Sequence, residues 1–158
     1  MRPAADGPGV RFPPPLLFVA GLLAGWLCQR GMPLNLVGHA VRGFSLGFGW
    51  ALVVGSLGFM AWAMETFRRA GPEIVPVPPD SSLVQHGPYA RTRNPMYVGF
   101  SGLYVGVTLL LNTPWPLVFL PLVLLALRRL VVDREERYLA AAFDGAYDEY
   151  RRRVRRWL

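Results

Sequence analysis

The chain has no lysine, one cysteine and two histidines among its 158 residues. One cysteine excludes an internal disulfide, and so few cysteines and histidines do not make a plausible zinc site, so we expect no metal and a packing role for Cys28. Because lysine is absent, all seventeen basic residues are arginines, and the formal net charge is +7. Such a balance is typical of proteins that bind nucleic acid or an anionic membrane surface. The positions of the arginines distinguish these two classes.

Long uncharged segments indicate a membrane protein. Hydrophobic residues make up 53% of the chain and its mean hydropathy is +0.29, which is high for a soluble domain of this length. The apolar segments are residues 16–27, 44–64, 96–111 and 117–127, and the last can extend from residue 115 to residue 132. Only the second has the roughly 20 residues that span a bilayer core unaided. The others need flanking residues, tilt or a locally thinner bilayer.

These segments lack the charge on every turn that a soluble helical bundle would expose, although buried helices of a soluble domain are the alternative. We therefore predict one all-α domain, residues 1–158. Its architecture is a polytopic membrane helical bundle with about four transmembrane helices.

The distribution of the arginines predicts the orientation of this bundle. Threading four helices places residues 29–43 and 112–114 on one side, with Arg30 and Arg42, and the other fifteen of the seventeen arginines on the opposite side. The positive-inside rule makes the richer side cytoplasmic. Membrane orientation then accounts for the charge, so nucleic-acid binding loses its main support. We predict an integral protein of the cytoplasmic (inner) membrane.

The connections predict how the helices pack. Residues 112–114 are too few for anything but a tight reversal, so the third and fourth helices should form an antiparallel hairpin with neighbouring cytoplasmic ends. Four prolines within residues 72–79 exclude a regular helix there, and this connection should run extended. Glycine pairs four residues apart let helix backbones approach closely in lipid. Three such pairs are present, at Gly21/Gly25, Gly43/Gly47 and Gly102/Gly106.

Beyond residue 132 the sequence becomes charged and carries a periodic apolar stripe. Five apolar or aromatic residues recur there at 4-4-3-4 spacing, which is the pattern of an amphipathic helix. We expect this cytoplasmic C-terminal helix to lie against the ends of the bundle or in the headgroup layer, where the terminal arginines suit anionic lipid. The stripe consists of Leu139, Phe143, Tyr147, Tyr150 and Val154, and the arginines are at positions 151–153, 155 and 156.

A dense polar stretch, HGPYARTRNPMY at residues 86–97, leads into the third apolar segment. The predicted hairpin brings it close to Glu135 and Glu136, and polar groups at that depth are costly unless they are paired or line a cavity. A ligand pocket at the membrane interface is therefore expected. Taken singly, the same residues have plainer interpretations: helix-end anchors for the arginines, interfacial belt residues for the tyrosines, and a solvated helix face for the glutamates.

Two spaced motifs resemble the isoprenylcysteine carboxyl methyltransferase and phospholipid methyltransferase superfamily. Its GPYxxxRHPxY signature is matched by Gly87, Pro88, Tyr89, Arg93, Pro95 and Tyr97. Its EExxLxxxFGxxYxxY tail is similar to Glu135 and Glu136 followed by the first four residues of the apolar stripe. The order, the separation and the intervening hairpin also agree. The resemblance covers roughly residues 82–157.

The resemblance implies an integral membrane enzyme that binds S-adenosylmethionine in a cytoplasmic pocket, capped by its C-terminal segment and without a Rossmann domain. Residues 82–157 would be the cofactor-binding half. The expected reaction is methyl transfer to a lipophilic or lipid-modified substrate, as in isoprenylcysteine carboxyl O-methylation. Phospholipid amine N-methylation and a non-catalytic membrane scaffold are the alternatives. The implied cofactor-binding residues are His86, Gly87, Tyr89, Arg93, Pro95, Tyr97, Glu135 and Glu136, with Arg93 and Glu136 also catalytic.

One position departs from the signature. The histidine that usually follows the motif arginine is Asn94 here, and asparagine forms hydrogen bonds but does not titrate near neutral pH. A carboxylate or thiolate acceptor needs no base, whereas an ammonium must first lose a proton. Asn94 therefore slightly favours an anionic acceptor, unless the position is purely structural.

Overall fold

The computed structural model describes residues 13–70 and 83–158, and within these ranges it is all-helical, without strands. Its α-helices are α1 (Pro15–Gly31), α2 (His39–Arg69), α3 (Pro95–Leu111), α4 (Trp115–Leu127) and α5 (Asp133–Arg153). A 3₁₀ turn, Gly87–Ala90, precedes α3. The predicted extended run at residues 72–79 lies outside the described residues.

Each of the four apolar segments forms a helix, and local sequence explains the helix ends. α1 and α3 begin at prolines, which suit the first turn because its amide groups have no intrahelical partner. α3 ends where Asn112 adopts the left-handed conformation, with φ of 54°, which is typical of a helix C-terminus. α2, with 31 residues, and Trp115–Phe143, with 29, are long and apolar enough to cross a membrane. α1 and α3, with 17 residues each, are shorter.

α4 continues into α5 without a break. A π-helical turn, Arg128–Val132, joins them, so a single rod runs from Trp115 to Arg153. Val131 and Val132 of this turn are fully buried and contribute to the core with Phe18 and Leu127. The glutamates predicted for the site therefore lie on the same continuous helix as the fourth apolar segment.

The tight reversal at residues 112–114 forms as predicted, but the two helices that it joins pack mainly on other partners. α3 lies chiefly against α2, and α4 chiefly against α1. Tyr104 of α3 connects the two pairs, since its buried hydroxyl donates a hydrogen bond of 2.7 Å to the Pro116 carbonyl of α4.

Glycines explain how closely these pairs approach. A Cβ added to Gly21 would lie 2.6 Å from the Val123 side chain, and one on Gly25 would lie 2.6 Å from Pro116. A Cβ added to Gly106 of α3 would lie 3.0 Å from the Gly49 carbonyl oxygen of α2. Two predicted glycine pairs thus lie at helix contacts.

The third predicted glycine pair is wrong. Within residues 13–70 and 83–158, nothing lies within 4 Å of a Cβ built on Gly43 or Gly47, and a close contact on α2 is made by Gly49 instead. The spacing of glycines identifies a helix face that lacks side chains, but it does not show whether a neighbouring helix packs against that face.

At the end of the bundle away from the predicted site, which holds residues 29–42 and 109–116, side chains form hydrogen bonds with the main chain. Arg42 donates to the carbonyls of Leu109 and Leu110 at 2.8 and 2.7 Å, which caps the last turn of α3. The Asn112 side chain accepts from the Val37 amide and donates to the Val37 carbonyl. Residues 83–97, α5 and the C-terminus lie together at the other end, called the site end.

Candidate functional site

The 3₁₀ turn positions the start of the polar stretch. Gly87 has φ of +62°, a conformation that strains other residues, and a Cβ there would also be tight against the Thr66 hydroxyl of α2, at 3.0 Å. Pro88 is fully buried. Tyr150 of α5 donates from its hydroxyl to the Tyr89 carbonyl at 2.7 Å. The turn is therefore held between α2 and α5.

The C-terminal residues dock against the segment just before α3. After α5 ends at Arg153, Val154 becomes extended, and residues 154–158, called the tail below, cross residues 92–94. The Arg93 amide donates to the Arg155 carbonyl at 2.9 Å. The Arg156 carbonyl accepts from the Thr92 hydroxyl at 3.1 Å and from the Asn94 side-chain amide at 3.0 Å.

Asn94 consequently has a structural function in this protein. Its side chain is buried, and the side-chain amide donates a hydrogen bond to the tail. Its main-chain carbonyl accepts hydrogen bonds from amides in the first turn of α3. An amide that donates to a main-chain carbonyl does this without titrating. This finding supports the purely structural interpretation of the departure from the family signature.

An ion-pair cluster lies under the tail. Glu136 accepts two hydrogen bonds from Arg156, from Nε at 3.0 Å and from Nη2 at 2.7 Å. Arg156 also lies 3.1 Å from the Asp133 carboxylate. The hydrogen bonds to Glu136, together with the charges of both carboxylates, raise the pKa of Arg156 despite its partial burial. The cluster is thus a well-formed, part-buried fork-to-carboxylate pair.

Arg93 contacts the same carboxylate more loosely. Its Nη2 lies 3.4 Å from Glu136 Oε1, and only 11% of the Arg93 side chain is exposed. Among the residues that the structure describes, its Nε and Nη1 atoms are buried without a hydrogen-bond partner. A buried unsatisfied donor costs about 1–3 kcal/mol, and more when charged. Two such donors on one guanidinium remain available to pair with an anionic group.

Glu135 faces a different neighbour. It accepts a hydrogen bond of 2.8 Å from the hydroxyl of Tyr97, a buried residue of α3. Successive residues of an α-helix point about 100° apart, so the two glutamates diverge. They contact Tyr97 and the arginines respectively, and together they fix α5 against the start of α3.

Two tyrosines of α5 line the same region. Tyr147 and Tyr150 are buried, and their rings are tilted with centroids 6.1 Å apart. Burial raises the pKa of Tyr150 to about 12. The pKa of Tyr147 is raised by burial and by the charge of Glu136, and this shift is opposed by the charge of Arg93 and by the interaction of its guanidinium with the Tyr147 hydroxyl. Both phenols therefore remain protonated at neutral pH.

The structure brings most predicted site residues together, but not all. Arg93, Tyr97, Glu135 and Glu136 meet as expected, with Gly87, Tyr89 and Pro95 supporting their backbone. His86 is exposed.

Arg156 is the important residue that the sequence does not single out, because it resembles its neighbouring arginines, which the sequence predicts to lie against anionic lipid. Only its position just after the end of α5 could have separated it from them.

The sequence profile of the phospholipid methyltransferase family matches residues 44–146, from α2 into α5. The chain belongs to this family. A Saccharomyces cerevisiae protein-S-isoprenylcysteine O-methyltransferase is 35% identical over 94 residues, 58% of this chain and 39% of that protein. The Schizosaccharomyces pombe protein of the same name is 36% identical over 75 residues, 48% and 32% respectively. This family member thus spans about a third to two fifths of those relatives. No solved structure matches it significantly.

Proposed function

We propose that this family member transfers a methyl group from S-adenosylmethionine to a lipophilic substrate, in the manner of an isoprenylcysteine carboxyl O-methyltransferase. The observation that carries this proposal is the guanidinium of Arg93, two of whose buried nitrogens, beside Glu136, have no hydrogen-bond partner in the described part of the chain. Family membership and the two relatives supply the reaction class.

The residues at the site end fit the parts of this cofactor. Nε and Nη1 of Arg93, unpaired among the described residues, suit its carboxylate, because each of them forms with Nη2 an edge of the guanidinium that can donate two parallel hydrogen bonds. The carboxylates of Glu135 and Glu136 suit hydroxyl donors such as a ribose diol, and tyrosine faces suit a sulfonium cation. His86, which is exposed, would lie at the rim, with Gly87, Tyr89, Pro95 and Tyr97 completing the surroundings.

When bound, the cofactor supplies an electrophilic methyl group. The protein's contribution is to hold the reactants in line and to exclude water, which alone can provide several kcal/mol of barrier reduction. Arg93 would fix the cofactor and Glu136 would orient Arg93, which is the catalytic role that we assign to this pair. Asn94 is bound to the tail and cannot act as a base. A carboxylate acceptor, which needs no deprotonation, therefore fits better than the ammonium of a phospholipid amine.

We further infer that four helices span the membrane and that the site end is cytoplasmic. At 1.5 Å per residue, α1 and α3 are each about 25 Å long, which is close to a bilayer core when the bilayer thins slightly. The arginine distribution supports the orientation. In this arrangement α5 is an amphipathic helix that continues the fourth span beyond the membrane and lies against the site end, and residues 82–157 form the cofactor-binding half of one domain.

In this proposal the substrate reaches the site from the lipid bilayer. The site end lies where α3 would meet the headgroup layer, so a pocket there can open both to the bilayer and to the cytoplasm. A charged cofactor does not cross the apolar core. We propose that the lipophilic or lipid-modified substrate arrives sideways from the membrane, and that neither nucleic acid nor metal takes part.

Calorimetry with S-adenosylmethionine on the detergent-purified protein tests the proposal. We expect binding by the wild type, strong weakening by Arg93→Met, and partial weakening by Arg93→Lys, since lysine retains the charge but not the planar fork. Arg91→Met is the matched control, because Arg91 lies two residues away and is exposed. Absence of wild-type binding at millimolar cofactor would favour the non-catalytic scaffold. Equal binding by Arg93→Met would assign Arg93 to membrane anchoring.

A further inference from the structure

Two arginines share one carboxylate at the site end, and they share it unequally. Arg156 bonds both oxygens of Glu136, at 3.0 and 2.7 Å. Arg93 approaches only one of them, at 3.4 Å, which is longer than the 2.7–2.9 Å of a charge-assisted hydrogen bond. The carboxylate is thus largely committed to Arg156.

This division explains why Arg93 has unpaired nitrogens. A guanidinium fork next to a free carboxylate forms two parallel hydrogen bonds with it, since the two geometries match. Without Arg156, Glu136 would be available to Arg93 in that way. Nη2 and one of the two nitrogens that are now without partners among the described residues, Nε or Nη1, would then be paired within the protein, and the parallel donors on that edge of the guanidinium would be lost to any ligand.

Arg156 is also held in place on both sides. Its carbonyl accepts from Thr92 and Asn94, and its Nη1 lies 3.1 Å from Asp133. The Arg156 side chain is 26% exposed, whereas those of Arg151 and Arg153 are 55% and 60% exposed and pair with acidic residues of their own helix. Arg156 of the tail is therefore less exposed than Arg151 and Arg153 of α5, and it pairs with residues more distant in sequence.

We propose that Arg156 is a positioning residue: by engaging Glu136 it keeps the Arg93 fork open for the carboxylate of the cofactor. This inference rests on the proposed function, because it takes S-adenosylmethionine as the ligand. It adds a specific task for the tail, which is to confer recognition of the amino-acid end of the cofactor. Asn94 shares that task by fixing the main chain of Arg156.

The test compares the affinities of S-adenosylmethionine and decarboxylated S-adenosylmethionine, which lacks only the carboxylate, for the full-length protein. Hydrogen bonds to a charged group contribute enough for a wild-type preference of roughly tenfold to a hundredfold for the complete cofactor. We expect Arg156→Met to reduce this preference to within about threefold of unity while the affinity for the decarboxylated compound changes little. Arg152→Met, at an exposed position, should keep the wild-type preference.

A double variant separates positioning from simple structural support. In Arg156→Met with Glu136→Gln, no carboxylate remains to capture Arg93, so the preference should return. The preference is a ratio, so any contact of Glu136 with the ribose cancels. Equal weakening of both ligands by Arg156→Met, or no recovery in the double variant, would overturn the positioning role. A wild type that binds both ligands equally would overturn it and leave the proposed function intact, whereas a wild type that binds neither would remove both.

Discussion

Removing the tail, residues 154–158, should weaken cofactor binding by roughly tenfold to a hundredfold without unfolding the protein. The truncation leaves α1 to α5 intact, since α5 ends at Arg153. It removes the three hydrogen bonds from residues 92–94 to the tail carbonyls, the pair between Arg156 and Glu136, and the packing of Trp157 on the core.

The expected change in stability is small because large terms oppose each other. Three hydrogen bonds at about 1 kcal/mol each, a part-buried ion pair at about 2 kcal/mol and the partial burial of Trp157 at 1–2 kcal/mol amount to about 6–7 kcal/mol. Ordering five residues costs about 1–1.5 kcal/mol each, or about 5–8 kcal/mol. The two totals agree within a few kcal/mol, so the unfolding temperature should shift little.

Ligand binding should respond quite differently, because Arg93 becomes free to close on Glu136. The assay is calorimetry with S-adenosylmethionine, together with thermal unfolding in the same detergent. Deleting only Leu158, which is 74% exposed, is the matched control and should leave both measurements unchanged. A truncated protein that binds the cofactor normally would refute the reasoning about the tail, and a truncated protein that fails to fold would refute the energy balance.

Two further predictions concern the helix contacts and the substrate. Gly21→Ala should lower the free energy of unfolding by about 1–3 kcal/mol, because its Cβ would meet Val123, whereas Gly43→Ala should be neutral or stabilising by up to about 1 kcal/mol; thermal unfolding that ranks the two variants the other way would contradict the packing. Initial rates in liposomes should rise with the acyl or prenyl chain length of the substrate and fall as lipid dilutes it, since each buried methylene contributes about 0.8 kcal/mol to membrane partitioning. Higher rates for a short water-soluble acceptor would point to a cytoplasmic substrate instead.

The sequence was sufficient for the helices because long apolar runs and prolines at helix starts act locally. It was not sufficient for their partners. The three-residue turn brings α4 back beside α3, yet α4 packs chiefly on α1, where Gly21 and Gly25 leave room for Val123 and Pro116. Such complementarity depends on which faces meet, and a spacing rule does not contain that information, as the open face at Gly43 illustrates.

The candidate site, too, could be predicted only in part from the sequence. Arg93, Tyr97, Glu135 and Glu136 could be predicted to meet, because two motifs separated by a hairpin must return to the same end of the bundle. The contact of Arg156 with Glu136 could not be predicted, because the sequence does not distinguish one C-terminal arginine from another. The direction of Arg156 depends on the extended backbone at Val154, which turns the chain across residues 92–94.

If the continuous helix formed by α4, the π-helical turn and α5 spans the membrane as proposed, the thickness of the bilayer affects the geometry of the proposed site. From Trp115 to Glu136 it extends for about 30 Å at 1.5 Å per residue. In the proposed arrangement its first residue lies at one membrane surface and its glutamates at the other. Arg93 belongs to a separate element, so a bilayer that tilts the rod changes the separation of the two charges. Acyl-chain length of the surrounding lipids is therefore expected to tune cofactor affinity, even where no lipid touches the cofactor.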